Sequence, residues 1–149
     1  MDKELRELLE EWERTRRKAI ELLAGLADGD LRQMVDFWGS KHSLAFVLHR
    51  FDGHAREHLV QIEKTRRALG IEQTEVQRIL RMAEAIRGEI EGTLIGLGDE
   101  DLDRRPAPEE WSVREVLQHL IERDRWRLEF ICDVVNKLRA GEPDPKEAQ

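Results

Sequence analysis

Apolar positions recur along this chain at spacings of three, four and seven. Leu5, Leu8, Leu9, Trp12, Ala19, Ile20, Leu23 and Leu26 mark one stripe, and Leu44, Val47, Leu48, Phe51, Ala55, Leu59 and Ile62 a second. Val76, Ile79, Leu80, Ala83, Ile86, Ile90 and Leu94 mark a third, and Val113, Val116, Leu117, Leu120, Leu128, Ile131, Val135 and Leu138 a fourth. Such spacing puts apolar side chains on one face of a helix. No segment alternates with period two for long enough to read as a strand. Gly70 is placed to end the second helix in a left-handed cap. Thr74 with Gln77, and Ser112 with Glu115, have the spacing of capping boxes opening the third and fourth helices. Pro106 and Pro108 fall in the loop before the fourth, and Gly141, Pro143 and Pro145 stop it. The predicted fold is all-α. Four amphipathic helices bury one stripe each most simply as a four-helix bundle spanning residues 1–141, followed by a frayed tail at 142–149.

The chain also repeats itself. "LAGLADGDL" (23–31) matches "LIGLGDEDL" (94–102). Each follows a long amphipathic helix, and each precedes a loop with a tryptophan (Trp38, Trp111) and a serine fit to cap the next helix (Ser43, Ser112). The first loop is two residues longer. Beyond the serines the offset is 69, so Leu48 aligns with Leu117, Leu59 with Leu128 and Ile62 with Ile131. The bundle is therefore expected to consist of two helix pairs, 1–70 and 74–141, related by an approximate twofold.

Composition narrows the partners. The 149 residues carry a formal net charge of −7. Phosphate neutralisation needs a basic face, so nucleic acid is not the expected partner. Arg16-Arg17 and Arg66-Arg67 sit among glutamates and read as ion-paired helix surface. The N-terminus is charged from the start and has no signal-like apolar region, and no run approaches the roughly 18 apolar residues of a membrane span. With a single cysteine, Cys132, no intrachain disulfide can form. A cytoplasmic location is expected. Cys132 reads as a small buried filler, and the four tryptophans as packing residues.

The histidines break the repeat. His54 aligns with Arg123, His58 with Arg127, and His119 with Arg50. Packing would be expected to treat both copies alike, so an unshared trio invites a chemical explanation. His54 and His58 are four apart, which places them on one helical face. Two imidazoles so placed can reach one ion, and a third ligand from another helix, with His119 the candidate, leaves a position for water or substrate. The competing reading of His-x-x-x-His on a charged helix is exposed surface. His119 flanks its stripe, so a site would lie at an open edge or end of the bundle. His42 is expected in a loop and His49 is expected to point elsewhere. There is no Gly-rich phosphate loop. Glu115 is four, not three, before His119, so the di-iron carboxylate pattern fails.

"GLGDEDLDRRPAPEEWSVREVLQHLIERDRW" resembles the first helix pair of the DinB-like (DinB/YfiT-like) metalloenzyme family, with Trp111 and His119 at the family's spacing of eight. "ELLAGLADGDL…HSLAFVLHRFDGHAREHLVQIEKTRRAL" resembles the family's second pair, whose His-x-x-x-His matches His54 and His58. Together they cover roughly residues 4–140. The order is reversed, which suggests a circular permutation within one chain or an exchange between two, with "GIEQTE" joining the old termini. The resemblance implies a divalent metal, nickel or zinc, held by His54, His58 and His119. The implied chemistry is thiol transfer or hydrolysis on a small-molecule or thiol substrate. No general base is named. The alternative is a non-catalytic, stress-related binding or dimerisation bundle. An intrachain bundle that pairs as a homodimer is expected, with helix exchange the other possibility.

Overall fold

The computed structural model describes residues 2–140. The predicted tail lies outside the described residues. Four helices dominate: α1 (Lys3–Leu23), α2 (Leu44–Ala68), α3 (Glu75–Thr93) and α4 (Val113–Ala140). The four-helix, mostly helical class is the one the stripes predict. Leu26 alone of the first stripe falls outside its helix, in the turn after α1.

The caps are those the sequence specifies. Gly70 has φ +66, and the Ile71 N–H donates to the Arg66 carbonyl at 2.9 Å while the Gly70 N–H donates to Arg67 at 3.1 Å. That is a complete Schellman closure of α2. Thr74 and Gln77 form the reciprocal capping box of α3. At α4 the Glu115 N–H donates to Ser112 Oγ at 3.3 Å, and the Ser112 N–H donates to Glu115 Oε2 at 2.8 Å.

A short hairpin was not expected. Strands β1 (Met34–Phe37) and β2 (Ser40–Ser43) pair antiparallel, with Val35 opposite His42. The alternation is too short to register as a strand, but the turn chemistry was present. Trp38 and Gly39 both have positive φ (54° and 77°), as a two-residue type I′ turn requires, and the Gly39 N–H donates to Asp36 Oδ1 at 3.1 Å. His42, expected in a loop, lies in β2 and stacks on Phe46 at 4.2 Å.

The repeat is reproduced in the hydrogen bonds of its central aspartate. Asp30 Oδ2 accepts from the Ala27 N–H at 3.1 Å, and Asp101 Oδ2 from the Gly98 N–H at 3.2 Å. The Asp30 N–H returns to the Ala27 carbonyl at 2.9 Å, and the Asp101 N–H to Gly98 at 3.0 Å. Each copy also has a 3-10 turn, Asp30–Arg32 after the bonded aspartate in the first and Asp99–Asp101 leading up to it in the second, two residues earlier in the alignment. The hairpin occupies the longer first loop, which is why Trp38 and Trp111 are not equivalent.

Two compact units are present, Met1–Gly96 and Leu97–Gln149. In the first, α1, α2 and α3 meet through side chains at a few points rather than along their lengths. Arg81 on α3 pairs with Glu63 on α2 at 2.6 Å, and the Arg16 guanidinium of α1 lies 5.1 Å from the centre of the Phe51 ring on α2. In the second, the loop before α4 is fastened to that helix by Arg114 on Asp103 (2.6 and 3.1 Å) and by Arg105 on Glu115.

The stripes lie where they were read, yet no apolar residue among the described ones is buried. Trp12, Leu59, Ile79 and Leu128 are each more than half exposed. Among the described residues Ser112 is buried, 2% exposed beneath its capping box. The expectations of a buried Cys132 and of tryptophans packed away are therefore corrected: Cys132 is exposed, and so are Trp12, Trp38, Trp111 and Trp126. Helix periodicity fixes which face is apolar; covering that face takes a second surface.

Candidate metal centre

The second helix carries most of the candidate site. Ser43 opens it by accepting from the Phe46 N–H at 3.2 Å. Helical spacing then aligns Arg50, His54, Glu57, His58 and Gln61 along one side. His54 Nε2 and His58 Nε2 lie 2.9 Å apart, with the rings nearly perpendicular at 82°. The i,i+4 spacing thus delivers two convergent imidazole nitrogens, as predicted. Behind them, His58 Nδ1 donates to Gln61 Oε1 at 2.8 Å. In the tautomer with the proton on Nδ1, His58 Nε2 turns its lone pair to His54, whose Nε2 donates across the 2.9 Å contact; such outer support is common behind metal-bound histidines.

Beside the pair, Arg50 grips Glu57 with two guanidinium nitrogens at 3.2 and 3.4 Å. The Arg50 hydrogen bond, reinforced by its charge, holds the Glu57 carboxyl below the usual carboxylate range. Glu57 is thereby kept anionic but engaged elsewhere, and recruiting it as a ligand would mean breaking that fork.

The imidazoles open on a cleft of about 720 Å³ between α1 and α2. Its walls are mostly apolar, with Trp12, Phe51, Leu59 and Ile62 on the helices and the Phe37–Trp38 stack of the hairpin at 4.7 Å. The volume falls within the range of small-molecule sites, roughly 300–1,000 Å³. Sequence reasoning missed Gln61, the Arg50–Glu57 fork and the hairpin wall. The first had a legible signal, since Gln61 is one turn beyond His58. The fork joins residues two helical turns apart, so spacing puts Arg50 and Glu57 on one side without stating that they pair, and the wall depends on the turn at Trp38.

His119 lies in the other unit, in the second turn of α4, and is half-buried. The Trp111 ring meets it edge-on, centroids 4.9 Å apart at 69°. The tryptophan–histidine spacing of eight is thus a ring contact made across the start of α4. Within each unit, no group of three or more His, Cys, Asp or Glu side chains is clustered to hold an ion among the described residues. What the structure brings together is the pair His54–His58, and separately Trp111 with His119. His49 is exposed and makes none of these contacts. No described helix is long and apolar enough to cross a membrane. No protein-family model, no curated protein and no solved structure matches this chain.

Proposed function

We propose that this chain is a divalent-metal-dependent enzyme of the DinB-like type. His54, His58 and His119 are its ligands, nickel or zinc its metal, and thiol transfer or hydrolysis its chemistry. The observation that supports this most is the 2.9 Å approach of two Nε2 atoms beside an apolar cleft, with Gln61 orienting one ring. Two nitrogens bound to one tetrahedral ion at about 2.05 Å stand roughly 3.3 Å apart, so the rings need to spread by only about 0.4 Å. Two histidines leave an ion short of ligands, and His119, unshared by the repeat, is the third. A bound divalent ion supplies acidity to a coordinated thiol or water. The chain supplies the rest: the cleft offers an apolar wall to the body of a small substrate, and the Arg50–Glu57 fork adds an ion pair beside the imidazoles.

A second reading, a non-catalytic dimerisation module, is favoured by the uncovered stripes. The two are separated by metal analysis of protein purified without a histidine tag. One divalent ion per chain, lost on His54→Ala, His58→Ala or His119→Ala and retained on His42→Ala, is the expected result. An ion-free protein that also fails to take up nickel or zinc would leave the dimerisation reading standing alone.

A further inference from the structure

We infer that the α1–α2 cleft takes an aromatic carboxylate, its ring laid on the Phe37–Trp38 stack and its carboxylate held by Arg16. This assignment rests on the proposed small-molecule role of the cleft and needs no metal. Every residue lining the cleft belongs to the unit Met1–Gly96, so its chemistry is that of one unit alone. Aromatic side chains are scarce in this chain, and they gather here. There are four tryptophans, four phenylalanines and no tyrosine, and Trp12, Phe37, Trp38 and Phe51 all line this cleft. The helical stripes are otherwise mostly leucine, isoleucine and valine, so a wall of rings is a local feature.

Trp38 stands at φ 54° in the hairpin turn, where asparagine is favoured and a bulky side chain is strained. Strain of this kind gathers where a side chain has a ligand to meet. What the turn gains is a ring: Trp38 stacks on Phe37 with centroids 4.7 Å apart and planes within 18° of parallel. A flat ligand ring can extend that stack. Charge selects the rest of the molecule. The chain holds 32 acidic residues against 25 basic ones, yet among the described residues the lining includes Arg16, Arg50, His54 and His58 and no carboxylate. Glu57 already matches Arg50. Arg16 forms no ion pair among the described residues; its guanidinium lies over the Phe51 ring, 5.1 Å from the centroid. A guanidinium that spends its face on a ring keeps its N–H edge for a carboxylate. A cationic ligand would be repelled by Arg16, and a neutral one would leave it unused.

Calorimetric titration of the full-length, untagged chain, stripped of metal with EDTA, tests it. The probe is 1-naphthoate, expected to saturate a single site on each chain. Trp38→Asn puts in a residue that the turn favours, so an expected loss of affinity of about tenfold reads the ring and not the fold. Arg16→Gln should weaken 1-naphthoate about tenfold and leave 1-naphthalenemethanol, its uncharged counterpart, unchanged. Cyclohexanecarboxylate, which has the charge without the flat ring, should bind about tenfold more weakly than 1-naphthoate. No saturation at millimolar 1-naphthoate, or an affinity untouched by both substitutions, overturns the assignment. Equal losses of acid and alcohol in Arg16→Gln overturn the carboxylate contact. Wild-type protein that binds 1-naphthoate yet takes up no nickel refutes the three-histidine reading and supports the aromatic site; the opposite pattern overturns the aromatic site alone.

Discussion

Ser112 is the residue at which a single oxygen matters most to the start of α4. It is 2% exposed, its hydroxyl accepts from the Glu115 N–H, and its own N–H donates to the Glu115 carboxylate. Ser112→Ala removes the cap and leaves the Glu115 N–H half-buried without a partner. Losing an N-cap costs about 1 kcal/mol, and stranding a donor out of water adds to it, so about 1.5–2 kcal/mol is expected. Ser43→Ala at α2 is the internal comparison. Its N3 residue is Phe46, which has no side-chain acceptor to reach back, so only a simple exposed cap is lost, for about 0.5–1 kcal/mol. Glu115→Gln keeps an acceptor for the Ser112 N–H and gives up only a solvent-accessible pair with Arg105, so the smallest loss of the three is expected. Urea unfolding followed by circular dichroism ranks the three. Because Ser112 sets the first turn that carries Trp111 against His119, its loss should also move the His119 ring signals in an NMR spectrum. A Ser112→Ala cost no greater than that of Ser43→Ala would refute the claim that the reciprocal, buried box holds α4.

Gly70→Ala meets no atom within 4 Å, so only its φ of +66 opposes the new Cβ; urea titration should read a loss of about 1 kcal/mol. At the hairpin tip, Trp38→Asn restores the favoured Asn-Gly turn, whereas Trp38→Val forces a β-branched residue to positive φ; the valine variant should be less stable by about 1–2 kcal/mol, and equal stabilities would contradict the type I′ assignment. The Arg104 hydrogen bond and then the Gly98 N–H lower the Asp101 carboxyl, the Arg114 hydrogen bond lowers Asp103, and the Ser112 N–H lowers Glu115. Depressed carboxylates stabilise the fold fully above their unfolded values, near about 4, and that stability is lost as pH falls through the lower folded values. The thermal midpoint should therefore drop below about pH 4, and less steeply in Arg114→Gln. Metal uptake competes with protons for imidazole nitrogen, so nickel affinity should fall steeply below about pH 6.5, whereas a flat profile to pH 5 would point to carboxylate ligands.

Much of the local structure was legible in the residues. Four helices, the Gly70 closure, both capping boxes and the convergence of His54 with His58 all follow from interactions between residues within about five positions of each other, and such interactions are written in spacing. The repeat was legible for the same reason: Asp30 and Asp101 each bind a backbone N–H three residues earlier, so matching sequence made matching turns. The hairpin needed the pairing of Val35 with His42 across a turn, and four-residue strands carry too little alternation to announce themselves. Burial lay furthest from reach. A stripe such as Leu59–Ile62 on α2 or Leu128–Ile131 on α4 says which face is apolar, not what covers it. Covering depends on surfaces distant in sequence, and neither unit by itself buries its own apolar face among the described residues. Helix and cap are local free energies that sequence states directly, whereas a core is a relation between surfaces that only their placement in space decides.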